Sequence, residues 1–183
     1  DHSENLVTVE RYVYFPSSGA RLGYRGASLL DMNRDECSEM GMLTVVKDVL
    51  LRVHRAVFAN CGDEVATQEG AAPSVSDVRF ELEAEQRKVL TGCCLLFSHV
   101  IPLEQAPSSH RLWVMAKRFG ARCVTTQGST VTHVIARAAG TEKVQWAYRT
   151  RRRVVSPSWL EASCILWSRV PEADHALSSQ PSS

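Results

Sequence analysis

"TRRRVVSPSWLEAS", Thr150 to Ser163, packs three arginines, two valines, a Ser-Pro step and a tryptophan into one short run. Its reading decides whether the chain offers a basic handle or a strand and helix of a core. Val154 and Val155 are adjacent β-branched residues of the kind that enter a sheet. Pro157 suits the first turn of a helix, where its missing N–H costs nothing. Trp159, Leu160, Cys164 and Ile165 then recur at helical offsets and predict one inward face. The arginines fall between a preceding helical run, "EKVQWAYRT", and this strand, so they are expected in an exposed turn. Arg149, Arg151, Arg152 and Arg153 could touch nucleic-acid phosphates by releasing counterions. No aromatic residues are interleaved with them as stacking platforms, which favours the solvated turn over nucleic acid as a partner.

Working outward, the same rhythm repeats. "CCLLFSH" (Cys93–His99) reads as a strand and "HRLWVMAKRFGA" (His110–Ala121) as a helix with Leu112, Met115 and Phe119 inward and Gly120 as its stop. "RCVTT" and "THVIA" are further strands, "EKVQWAYRT" a helix, "RVVS" a fourth strand and "PSWLEASCILW" the last helix. Such alternation within one short segment predicts a parallel four-stranded sheet with helices on its faces. Upstream, "NLVTVERYVYF" (Asn5–Phe15) alternates like a strand. Glu39–Ala59 places Leu43, Val46, Leu50, Val53 and Val57 at helical spacing. Asn60–Ser76 mixes Gly, Ala, Pro, Ser and acids as a linker does, and Ser76 is placed to cap a helix over Asp77–Leu90.

Charge is divided along the chain, although the 183 residues sum to a formal +1. Asp63–Glu85 holds seven acids against Arg79, while Arg111–Arg153 holds ten bases against Glu142. A basic face on the C-terminal half suits anionic partners. The longest apolar runs fall well short of the roughly 20 residues that span a bilayer, which argues against a membrane partner. Six cysteines are scattered without a C-x-x-C pair, as expected of buried, reduced thiols in an intracellular protein. None is followed six residues later by the arginine that a cysteine phosphatase needs to cradle phosphate. A start at Asp1 and a polar Ser-Ser-Gln-Pro-Ser-Ser end are read as those of a piece of something longer.

The strand "CCLLFS", the helix end Phe119-Gly120-Ala121, "TVTHVIA" with Thr132-His133 and "VVSPSWLEAS" with Trp159, in that order, resemble the BRCT family over roughly Ala84–Leu177. The resemblance marks Gly120, Thr132, His133 and Trp159 as fold-signature residues, with Trp159 packed against the sheet. The run from His2 to Phe15, "SLLDMNRDE", the long helix and "AEQRKVLTGCCLLFSHVIP" resemble the end of the catalytic domain and the following BRCT domain of the TFIIF-associating RNA polymerase II C-terminal-domain phosphatases, and among them the plant phosphatase-like proteins. The expected architecture is α/β. Residues 1–60 would be the last strand and helix of a HAD-like phosphatase domain, 61–76 a flexible linker, 77–177 the BRCT domain with its leading helix, and 178–183 a disordered tail.

That family dephosphorylates serines of the polymerase tail through a D-x-D-x-T motif and magnesium. No D-x-D-x-T occurs in these 183 residues. Phosphoryl transfer to a carboxylate needs a metal-held aspartate pair, so this stretch alone is expected to be inactive. No metal or cofactor is expected on it, magnesium belonging to the complete catalytic domain. Asp31-Met32-Asn33-Arg34-Asp35 imitates a calcium loop but lacks its glycine and spaced glutamate. His54 has no second ligand one turn away.

Members of the BRCT family bind phosphoserine through a Ser or Thr after the first strand and a Lys at the start of the second helix, which correspond to Ser98 and Lys143. His99 departs from the Gly often found beside that serine. The implied partners are the phosphorylated RNA polymerase II C-terminal domain or other phosphoproteins, with a transcription-factor contact, in the nucleus. The competing reading is a freestanding nuclear BRCT adaptor without catalysis. Trp113, Trp146 and Trp167 are read as packing residues.

Overall fold

The computed structural model describes residue 33, residues 41–59 and residues 77–177. The strand expected over Asn5–Phe15, the linker over 61–76 and the tail over 178–183 lie outside them, as do Ser76 and all of the calcium-like loop except Asn33. The chain divides into two compact units, Asp1–Val78 and Arg79–Ser183.

In the first unit, helix α1 spans Met42–Phe58. Its buried stripe is Val49, Val53 and Val57, whereas Leu43, Leu50, Leu51 and Phe58 are exposed. Of the expected inward face, Val53 and Val57 are buried and Val46 is half-buried, whereas Leu43 and Leu50 are exposed and Val49 takes their place. "LTVVKDVLLRVHRAVF" is apolar in more than one direction, and periodicity alone does not choose between two overlapping apolar stripes. The helix also begins three residues later than expected, after Gly41 and without a side-chain cap. His54 is exposed and lies 4.7 Å, ring to ring, from Phe58 one turn on.

In the second unit α2 (Val78–Lys88) leads into β1 (Cys94–Ser98), followed by α3 (Arg111–Arg118), β2 (Arg122–Val124), β3 (His133–Ala136), α4 (Glu142–Arg149), β4 (Arg153–Val155) and α5 (Pro157–Ile165). The expected order of elements is thus reproduced, each trimmed at its ends. The four strands run parallel in the order β2-β1-β3-β4, with Leu96 paired to Val124 on one side and to Val134 on the other. All five residues of β1 and all four of β3 are buried, as befits central strands covered on both faces.

Strand pleating sorts these side chains into two cores. Leu96, Val134, Ala136 and Val154 pack with Val144 and Ala147 of α4 and with Val131. The intervening residues turn toward the other face, where Phe97 lies 5.7 Å from Trp113 of α3, ring to ring. Helices α3 and α5 pack against each other and are joined by an Arg111–Glu161 ion pair.

Gly120 closes α3 at φ +92°, a conformation that L side chains rarely adopt. A Cβ built there would lie 1.9 Å from the carbonyl oxygen of Arg87, so α2 can lie across the end of α3 only if this residue is glycine. Around that contact, Leu90 donates its N–H to Phe119 O at 2.9 Å and Arg118 Nε donates to Gln86 at 3.0 Å.

The opening stretch takes the form expected of it, with one difference. Thr150 to Arg152 make the turn, with Arg151 at φ +54°, and Arg149, Arg151 and Arg153 are exposed. Arg152 instead folds inward, its Nε buried without a protein hydrogen-bond partner. Pro157 starts α5, and Trp159 is fully buried.

Candidate functional site

The site is set by topology. From β1 the chain leaves through α3 to β2 on one side; from β3 it leaves through α4 to β4 on the other. The loops after β1 and β3 therefore part company at the carboxyl ends of two adjacent strands, the place where parallel sheets open a crevice. A cavity of about 410 Å³ lies at the end of β1, lined by Phe97, Ser98 and the loop that follows, by Trp113, by Val124 at the end of β2 and Thr125 beyond it, and by Thr141 to Lys143 at the start of α4.

One wall is polar. Ser98, only 2% exposed, shares a 2.7 Å hydrogen bond with the Thr141 hydroxyl. Thr141 is the N-cap of α4 and accepts from the Val144 N–H at 3.3 Å. When Thr141 also donates to Ser98, the serine proton is left to turn into the cavity. Lys143 donates from Nζ to Phe97 O at 3.1 Å and to Thr125 O at 3.2 Å, bridging the ends of β1 and β2. An ammonium has three donors, and these bonds use two of them. The positive end of the α4 dipole points at the same corner. His99, exposed at φ +51°, makes the turn out of β1 in a conformation that glycine would adopt without strain.

Sequence reasoning placed Ser98 and Lys143 here, and the structure brings both to one cavity. It departs from the simple expectation of two free donors, because each is already held by protein atoms. Thr125 and Thr141 were missed. Thr141 had a signal, a hydroxyl residue ahead of a helical run that begins with Glu142. Thr125 had none, since only the pairing of β2 with β1 brings its carbonyl to Lys143.

The fold-signature residues gather elsewhere. The Thr132 hydroxyl accepts from Cys94 N at 2.8 Å and lies 2.7 Å from His133 Nδ1. The His133 ring stacks on Trp159 at 4.7 Å and 15°, with Nε2 at 3.2 Å from Glu172 Oε1. Burial, only partly opposed by the hydrogen bond to Glu172, pushes the His133 imidazole below its ordinary value of 6.5 and keeps it neutral. The Thr132 hydroxyl also reaches the Cys94 carbonyl at 3.1 Å, and Nε2 lies 3.3 Å from the Arg169 guanidinium as well as facing Glu172, so the ring sits among a hydroxyl, a carboxylate and a guanidinium. Burial alone would raise the Glu172 carboxyl, but hydrogen bonds from Arg169, its own backbone and His133 hold it down to about 2. Trp159 Nε1 donates to Val170 O at 2.9 Å, tying α5 to the segment that carries Arg169 and Glu172.

Cys93, Cys94 and Cys164 are buried and Cys123 is half-buried, all as free thiols. Burial pushes Cys123 and Cys164 up to about 12, which leaves them protonated and unreactive. Among the described residues no three His, Cys, Asp or Glu side chains gather as a metal set. No described helix is long and apolar enough to cross a membrane.

Residues 102–159 match the family of the twin BRCT domain. The chain is 43% identical, over 96% of its length, to RNA polymerase II C-terminal domain phosphatase-like 3 of Arabidopsis thaliana, and covers 14% of that protein. It is 36% identical, again over 96% of its length, to phosphatase-like 4 of the same plant, covering 38% of it. The structure of the fission yeast RNA polymerase II CTD phosphatase Fcp1 bound to beryllium fluoride superposes with a TM-score of 0.63 at 28% identity, over 88% of this chain and 43% of that one. The chain thus spans well under half the length of the relatives it matches. From the order of its elements, the glycine, Thr-His and tryptophan that join them, and these relatives, the chain is homologous to the C-terminal portion of the RNA polymerase II C-terminal-domain phosphatases and carries a BRCT domain.

Proposed function

We propose that the chain is the phosphoprotein-recognition end of a nuclear RNA polymerase II C-terminal-domain phosphatase, and that the cavity at the end of β1 receives the phosphoserine. The observation that carries this reading is the convergence of Ser98, Thr141 and Lys143 with the N-terminus of α4 on one cavity wall. A phosphoserine dianion needs charge-assisted donors arranged around its oxygens. The serine hydroxyl and the remaining ammonium N–H are donors of that kind, and the positive end of the α4 dipole adds to their field. The bonds of Lys143 to two carbonyls hold the long side chain in place, which lowers the entropy lost when an anion arrives. By its relatives' names the polymerase tail is the ligand of choice, and dephosphorylation of that tail is assigned to the complete protein.

The test is a fluorescence-anisotropy titration of the 183-residue chain with a phosphorylated polymerase-tail peptide and its unphosphorylated twin. The phosphorylated peptide should bind at least about tenfold more tightly, the equivalent of one charged hydrogen bond. Lys143→Ala should bring the two affinities together. Equal affinities in the wild type would remove the phosphate site.

A further inference from the structure

We infer that the ligand of this cavity carries an apolar residue within two positions of its phosphorylated one, seated on a shelf formed by Phe97, Ile101, Leu103, Pro107 and Trp113. The inference rests on the phosphate reading above and concerns what that reading leaves unused. At about 410 Å³ the cavity is within the size range of sites for whole small ligands. A phosphoryl group fills a small part of such a volume.

The division of the cavity follows from strand pleating. Ser98 and Phe97 are consecutive residues of β1 and turn to opposite faces of the sheet. Ser98 meets Thr141 on the α4 side, and Phe97 meets Trp113 on the α3 side. A cavity that wraps the end of the strand therefore has a polar wall on one side and an apolar one on the other. The apolar wall continues into the loop after β1, where Leu103 is 99% exposed and Ile101 and Pro107 are half-buried beside it. A leucine side chain held entirely in water at the lip of a cavity loses nothing by being covered and gains the transfer energy of its surface.

An extended peptide presents neighbouring side chains to alternate sides at a rise of about 3.3 Å per residue. It can thus place a phosphate against Lys143 and a nearby apolar side chain against Trp113 at the same time. The charge arrangement selects the same occupant. The cation and the helix N-terminus draw the anion to the polar wall, while Glu142, exposed on the rim, disfavours further acids in the flank.

The test uses four peptides of one length, phosphorylated or not, with leucine or glycine at each of the two positions on either side of the modified serine, titrated against the full chain. In the wild type, leucine should improve the affinity of the phosphorylated peptide about tenfold, as burial of one aliphatic side chain does. In Leu103→Ser, a fully exposed position whose replacement leaves the fold intact, that gain should fall to about threefold or less while the preference for phosphate persists. Trp113→Leu, which keeps apolar bulk but loses the flat ring, should reduce it as well. A preference for phosphate with no gain from leucine overturns the shelf and leaves the phosphate site standing. A gain from leucine without any preference for phosphate overturns the phosphate site and leaves the shelf. Binding that ignores both overturns both.

Discussion

Two polar clusters of the BRCT unit use the same kinds of residue and end in opposite conditions. Around His133, each polar group finds a partner within the protein: the imidazole among Thr132, Glu172 and Arg169, the carboxylate between His133 and Arg169, and the Trp159 indole at Val170 O. The Trp159 ring closes over the histidine and excludes water. Around Ser98, the polar groups are held by protein atoms but keep donors in reserve beside an open cavity. A closed polar cluster fixes a chain segment in place; a cluster with spare donors at a crevice can take a ligand. A histidine, a serine and a lysine do not declare their role by type; the covering of their last free donor does.

The comparison is broken most severely at Trp159. Trp159→Ala should cost about 3–5 kcal/mol in urea denaturation, because it opens a cavity in the core and uncovers His133 and Glu172 together. If the closed cluster has only a structural role, whatever folded fraction remains should keep the wild-type preference for phosphate.

Gly120→Ala should follow at about 2–4 kcal/mol, from the strained backbone and the clash with Arg87. Its effect should localise to the docking of α2. Amide exchange over residues 78–90 would rise more than over β1 and β3.

Glu172→Gln should cost about 1–3 kcal/mol by weakening charged hydrogen bonds to Arg169 and His133. It also changes the pH profile. Both His133 and Glu172 have folded values below their ordinary 6.5 and 4.5, so their contribution is complete above about pH 6.5 and is lost on acidification. The urea midpoint of the wild type should fall first below pH 6.5, as the unfolded histidine gains a proton that the folded one resists. It should fall again below 4.5, as the unfolded carboxyl does the same. Glu172→Gln should abolish the second descent; a variant whose midpoint still fell there in parallel with the wild type would refute the assignment.

Lys143→Ala is the smallest disturbance to stability, at about 1 kcal/mol or less for two bonds from a half-buried ammonium to carbonyls. It is expected to have the larger effect on binding. The two clusters are distinguished by this inversion: Trp159→Ala unfolds and spares the site, whereas Lys143→Ala spares the fold and empties the site.

How much of this is legible in the residues varies with the range of the forces involved. The strands, their helices, the glycine stop and the inward tryptophan follow from patterns a few residues long, and the structure agrees with them over residues 77–177 to within a few residues at each end. The face of α1 is a local pattern that held only in part: Val53 and Val57 are buried as expected, but two apolar stripes overlap on the helix and only the burial of Val49 rather than Leu50 separates them. Arg152 is likewise one arginine among several in the sequence, and only the folded turn buries its Nε without a protein partner.

Sequence alone determined the alternating strand and helix order and the glycine stop at 120, since these follow from periodicity and backbone sterics, while the hydroxyl and cation near two loop ends were implied by the resemblance to the BRCT family. Tertiary structure decided which donors are spent and which are spare. Ser98 and Thr141 are 43 residues apart, His133 and Glu172 39 apart, and Lys143 lies 18 residues from the Thr125 carbonyl that holds it. Those meetings depend on strand order and pleating, through which β1 sends Ser98 to one face and Phe97 to the other and gives the crevice its polar and apolar walls.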